Sequence, residues 1–177
     1  MIRNALGEYA TAAGGYVTLR DVRENQLLGF DLAPASALAD PESLLRAQRF
    51  LDFKGGPKSN HQVFAQLGAD LLHEALESTY AVADEFGGIE LLIPSFMESL
   101  QILLRSDVPC IGVFKTRQAS GELADRIKLG EDYRQAYAAL ESWLQQDPDT
   151  EILPTTGRYD DQVRDYVNQW VLNYVRK

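Results

Sequence analysis

In the stretch YAVADEFGGIE, Tyr80 to Glu90, a short apolar run stops on two adjacent carboxylates, Asp84 and Glu85, and then meets the glycine pair Gly87-Gly88. An uncharged, continuously apolar run of this length reads as a strand buried on both faces, and such strands belong to parallel sheets covered by helices. A second run of the same kind, VPCIGVFK (Val108 to Lys115), follows one helical segment later. Helical stripes flank both: Phe64, Leu67, Leu71 and Ala75 before the first, and Leu100, Leu103 and Leu104 between the two. Alternation of this kind predicts an α/β domain in layers, with a mostly parallel sheet. Ligands of such sheets gather at the carboxyl ends of the strands. Asp84 and Glu85 lie at one such end and Lys115 at the other.

The rest of the chain fits one domain of 177 residues. The segment MIRNALGEYATAAGG puts Ile2, Leu6, Tyr9 and Ala13 on one helical stripe and stops at Gly14-Gly15. GYVTLRDV and NQLLGFDL read as a hairpin, with Gly29 marking a bulge or a close backbone approach. Asp40-Pro41 signals a helix start, while ESLLRAQRFLDF is ambiguous between short helix and strand. SFME (Ser95 to Glu98) matches a capping box, and TEILP is a short strand candidate. Tyr133, Tyr137, Leu140 and Leu144 share one helical face. Val163, Tyr166, Val167, Trp170, Val171 and Tyr174 form the stripe of a closing amphipathic helix, with the aromatics read as core.

Composition excludes several function classes. A net charge of −9 and a pI near 4.7 argue against non-specific binding to nucleic acid or anionic membranes. No apolar run approaches a membrane span and no signal-peptide pattern opens the chain, so the cytoplasm is the expected location. One cysteine, Cys110, rules out an internal disulfide and reads as a small buried hydrophobe. Two distant histidines without cysteine partners argue against structural zinc. KGGPKSN (Lys54 to Asn60) has the wrong spacing for a phosphate cradle, and Pro57 removes a needed N–H.

The two acids admit two readings. They can mark the chain leaving a buried strand for water. Alternatively, an aspartate ending an apolar strand can hold Mg²⁺ against phosphate oxygens, while the adjacent glutamate polarises the attacking water. Glu90 is either a hydrogen-bonding group that shapes the site or a surface acid. Arg23, Arg117 and Arg126 are candidates for contacting phosphate, or ordinary solvated arginines.

The longer stretch ADEFGGIEL resembles the Asp-Glu-Ile-Gly-Pro-Met-Glu-Leu signature of the nucleoside-triphosphatase family first described from thermophiles, within the P-loop NTPases. Asp84, Glu85, Gly87, Glu90 and Leu91 match, whereas Phe86, Gly88 and Ile89 differ. Upstream, GGYVTLRDVRENQLLGF is similar to that family's hairpin through Gly14, Gly15, Thr18, Val22, Arg23, Gly29 and Phe30, and VFAQLG and PCIGVFK fall in the expected order. The resemblance covers Met1 to Lys115 and is loose from Thr116 onward, where TRQASGELADRIKLG is longer than expected. It implies a three-layer P-loop-NTPase-like domain and Mg²⁺-dependent hydrolysis of a nucleoside triphosphate to the diphosphate and phosphate. Asp84 would be the metal ligand and Glu85 the catalytic residue, with Glu90, Gly87, Lys115 and Arg23 as further site candidates.

One departure stands out: no G-x-x-x-x-G-K-[ST] occurs in the sequence. MIRNALGEY looks like the helix that follows that motif, so the first strand and phosphate loop are expected to be missing, as in a truncated chain whose real start lies upstream of Met1. Hydrolysis by the chain itself is then expected to be impaired, and two inner sheet edges to be left unpaired. A non-catalytic relative that binds a partner, or a homo-oligomer that completes the open sheet, is the alternative. A different α/β enzyme with Asp84, Glu85, Glu90 and Lys115 in a metal-assisted hydrolytic site is a third.

Overall fold

The computed structural model describes residues 1–155 and 160–176. Six strands form one sheet: β1 (Gly14–Arg23), β2 (Gln26–Pro34), β3 (Gln48–Asp52), β4 (Lys58–Ser59), β5 (Ala81–Phe86) and β6 (Cys110–Phe114), in the order β4-β3-β2-β1-β5-β6. β1, β5 and β6 run parallel, and β1 to β4 form an antiparallel meander attached to that parallel core. The β1–β2 hairpin closes at Glu24 and Asn25, both at positive φ, as a two-residue turn matched to strand twist requires. At Gly29 the register slips by a residue and the Arg49 guanidinium lies against the backbone, so both readings of this glycine hold.

Side-chain alternation divides the core into two layers. Tyr16, Leu32, Ala81 and Ala83 face one cluster, which is packed by α3 (Ala69–Glu74), α4 (Pro94–Leu104), α5 (Arg117–Ile127) and α6 (Glu131–Gln146). Val17, Ala33 and Val82 face the opposite cluster, closed by α1 (Ile2–Leu6) and α7 (Asp161–Tyr174). Between β4 and α3, α2 (His61–Val63) leads into a π turn over Phe64–Gly68. Helices therefore cover both faces, giving the three-layer α/β architecture that the alternating pattern implied. Among the described residues no helix is long and apolar enough to cross a membrane.

Several local expectations change. The expected inner gaps are absent, because β1 pairs directly with β5 and β5 with β6. Among the described residues only β4 and β6 are edges, so a single flank of the parallel core, the outer side of β6, is open there. The apolar run of β6 is accordingly not fully covered, and Gly112 and Val113 are exposed.

Ser95 does not cap α4. Pro94 opens that helix after Ile93, and the Ser95 hydroxyl donates instead to the Ala65 carbonyl. The first helix tightens into a 3₁₀ turn over Gly7–Ala12, which rotates Ala10 into the core and Tyr9 out of it. ESLLRAQRFLDF resolves into a 3₁₀ turn (Pro41–Arg46) capped by Asp40, followed by β3. TEILP carries no regular structure. In α7, Val167 and Val171 are buried and Trp170 packs edge-on against Tyr80, but Tyr166 and Tyr174 are exposed.

Candidate functional site

The site forms where β5 and β6 end, because the parallel register puts their last residues side by side: Asp84 opposite Val113 and Phe86 opposite Phe114. The Lys115 amide donates to the Phe86 carbonyl at 2.9 Å, which carries the pairing one residue further. Lys115 is thereby fixed beside Glu85, and its ammonium donates to the Glu85 carboxylate. Both side chains are mostly enclosed, 16% and 22% exposed. The two residues project into a cleft that is also lined by Thr18, Phe30, Phe50 and Glu90.

Asp84 is half-buried beside this pair. Burial raises its carboxyl above the usual range, and repulsion from Glu85 adds to the rise. The chain's amino terminus, Lys115 and Arg20 oppose it. A carboxyl so placed gains from any cation that approaches it.

Glu90 is not a surface acid. It is 3% exposed, and its Oε1 accepts from the Gly87 amide at 2.7 Å and the Gly88 amide at 2.6 Å. Burial raises its pKa, while Lys115 and the two amides lower it. Its carboxyl therefore fastens the turn that follows the two acids. Gly87 sits at φ 100 with the Phe114 ring and the Lys115 Cβ close behind it, a position that a side chain would strain.

The same turn is held from outside by two residues that the sequence offered only as apolar stripe positions. The Tyr133 hydroxyl donates to the Gly87 carbonyl at 2.8 Å, and the Tyr137 hydroxyl donates to the Lys115 carbonyl at 2.8 Å. The usable signal was the residue type. A tyrosine in a core stripe carries a hydroxyl that needs a partner.

Three arginines are not brought together here. Arg23 lies six residues beyond Val17, roughly 20 Å along the strand from the residue level with Asp84, and it pairs with Asp21. Arg117 pairs with Glu141, and the Arg126 guanidinium stacks 3.9 Å over the Phe53 ring. Cys110 is a half-buried thiol that burial pushes up to about 12, so it is no nucleophile.

As a metal site the donors are few. Among the described residues no group of three or more His, Cys, Asp or Glu side chains could enclose an ion. Asp84 offers one hard oxygen ligand, and Lys115 occupies Glu85. One carboxylate suits a Mg²⁺ ion that takes its other ligands from water and phosphate, and does not suit a dedicated protein cage.

No curated protein and no solved structure gives a significant match to the chain. A sequence model of the NTPase family does match it, over residues 2–141. The matched span includes the hairpin, both parallel strands that carry the acids and the lysine, and most of α6, well past Thr116. The chain belongs to the NTPase family, within the P-loop superfamily.

Proposed function

We propose that the end of β5 is the hydrolytic half of a nucleoside-triphosphatase site. In this reading Asp84 would hold Mg²⁺ and Glu85 acts on the attacking water. The supporting observation is the position of the two acids at the carboxyl end of a parallel strand, with the Lys115 cation against one of them. Bound Mg²⁺ would supply charge stabilisation on the phosphate oxygens. Glu85 accepts a proton from the attacking water as the water oxygen bonds to the γ-phosphorus. The bond from that phosphorus to the β–γ bridging oxygen breaks, and the diphosphate leaves. Lys115 has two uses, holding the Glu85 carboxylate in place at rest and offering its ammonium to a phosphate oxygen when nucleotide arrives.

The sequence lacks the G-x-x-x-x-G-K-[ST] loop, so its backbone cradle, lysine and hydroxyl are not supplied by these residues. By these residues alone, turnover is then slow and nucleotide affinity weak. The test is phosphate release from Mg²⁺–nucleoside triphosphate by the wild-type chain and by Glu85→Gln. A glutamine that leaves the rate unchanged removes Glu85 from the mechanism.

One observation favours a second reading, in which the protein works by pairing with another chain. The outer edge of β6 has no partner strand among the described residues. A homo-oligomer could complete the sheet there. Sedimentation of the pure chain decides it, and a monomer at all concentrations speaks against it.

A further inference from the structure

We propose that α6 is a positioning element for the acidic turn, with Tyr133 and Tyr137 as a two-point latch that sets how Glu85 and Lys115 meet. The inference rests on the nucleoside-triphosphatase reading for its consequence, but its geometry is independent of it. Glu85 and Lys115 belong to different strand ends, and among the described residues nothing in the sheet ladder beyond Phe86 and Phe114 joins those ends except the bond from the Lys115 amide to the Phe86 carbonyl. α6 reaches both ends. The Tyr133 hydroxyl donates to the Gly87 carbonyl, two residues past Glu85. One helical turn on, the Tyr137 hydroxyl donates to the carbonyl of Lys115 itself.

The spacing explains why two tyrosines are needed. Residues four apart lie on the same helix face, so one rigid helix sets the distance between its two anchor points. The rings are fixed as well as the hydroxyls. Tyr137 stacks on Phe114 with centroids 5.1 Å apart, and Phe114 in turn packs on Phe86 at 5.3 Å. Tyr133 is 1% exposed, and because its proton goes to Gly87, the Ser120 hydroxyl donates to its oxygen at 2.6 Å, which ties α5 into the same network.

Gly87 is thus held on both sides, its carbonyl by Tyr133 and its amide by Glu90. A turn gripped at both peptide groups has little freedom to carry Glu85 away from Lys115.

The experiment uses the full chain with Tyr133→Phe and Tyr137→Phe, which remove only hydroxyls, and Tyr166→Phe as a control at an exposed hydroxyl bonded to Glu151. Two spectroscopic signals read the pair directly: the ¹⁵N resonance of the Lys115 ammonium and the ¹³C resonance of the Glu85 carboxyl. Both latch variants should melt within about 5 °C of wild type, yet shift or broaden both resonances, while Tyr166→Phe leaves them in place. With Mg²⁺–nucleoside triphosphate, kcat should fall about tenfold with KM within about twofold.

Unchanged Lys115 and Glu85 resonances in both variants overturn the latch, whatever the activity. So does a wild-type kcat retained in variants whose resonances have moved. If the wild-type chain releases no phosphate, the nucleoside-triphosphatase reading fails and the resonances still decide the latch. If Tyr133→Phe does not fold, Tyr137→Phe carries the same comparison.

Discussion

Lys115 at the end of β6 and Glu85 near the end of β5 form an ion pair across two parallel strands, mostly shielded from water. A pair so enclosed depends on both partners, since either charge alone has lost its hydration without compensation.

Lys115→Met should therefore destabilise the chain by about 2 kcal/mol. Glu85→Gln should cost less, because the lysine stem can carry its ammonium to water. The double variant should recover part of the Lys115→Met loss, giving a coupling of about 1 kcal/mol in a denaturation cycle. Additive single effects would mean that the two charges do not interact.

Burial raises the Asp84 carboxyl. A carboxyl whose pKa is higher folded than unfolded adds stability below its unfolded value, and that contribution is lost as pH rises through the folded value. At neutral pH, Asp84 thus weakens the fold. Asp84→Asn should raise the melting temperature by roughly 3 °C at pH 7, and the advantage should shrink below the ordinary carboxylate range. Added Mg²⁺ should stabilise wild type and leave Asp84→Asn unmoved.

Gly87→Ala should cost about 2 kcal/mol or more, from positive φ plus the crowding of Phe114 and Lys115. Gly121, inside α5, has open space where a Cβ would stand. Gly121→Ala should stabilise by about 0.5–1 kcal/mol. Chemical denaturation of the two alanine variants should give opposite signs.

The Tyr16 hydroxyl is fully buried and, among the described residues, has no hydrogen-bond partner. Tyr16→Phe should be neutral or stabilising by up to about 1 kcal/mol, whereas Tyr133→Phe should destabilise. Equal losses in the two variants would show that the hydroxyls are held alike.

Much of this arrangement was legible in the residues. The apolar runs fixed β5 and β6, the alternation of helices and strands set the layering, and the hairpin followed from GYVTLRDV and NQLLGFDL. Three features were not legible, each because the deciding interaction is tertiary. The continuity of β1 with β5 depends on which strands pair, and no single-strand pattern encodes that. Glu90 looked like either an acid on the surface or one in the site, and only the fold points the Gly87 and Gly88 amides at it. Tyr133 and Tyr137 sat correctly on a buried stripe, but their carbonyl partners lie 46 and 22 residues away in sequence.

The central claim is that Asp84 and Glu85 form a Mg²⁺-dependent hydrolytic pair. The most direct test is single-turnover phosphate release from a nucleoside triphosphate by wild type, Asp84→Asn and Glu85→Gln, with and without Mg²⁺. The account predicts slow release by wild type, well below the ~10 s⁻¹ typical of enzymes, abolished without Mg²⁺ and reduced about 100-fold by either substitution. Release at the same rate in all three proteins, or none from wild type above the buffer rate, would contradict it.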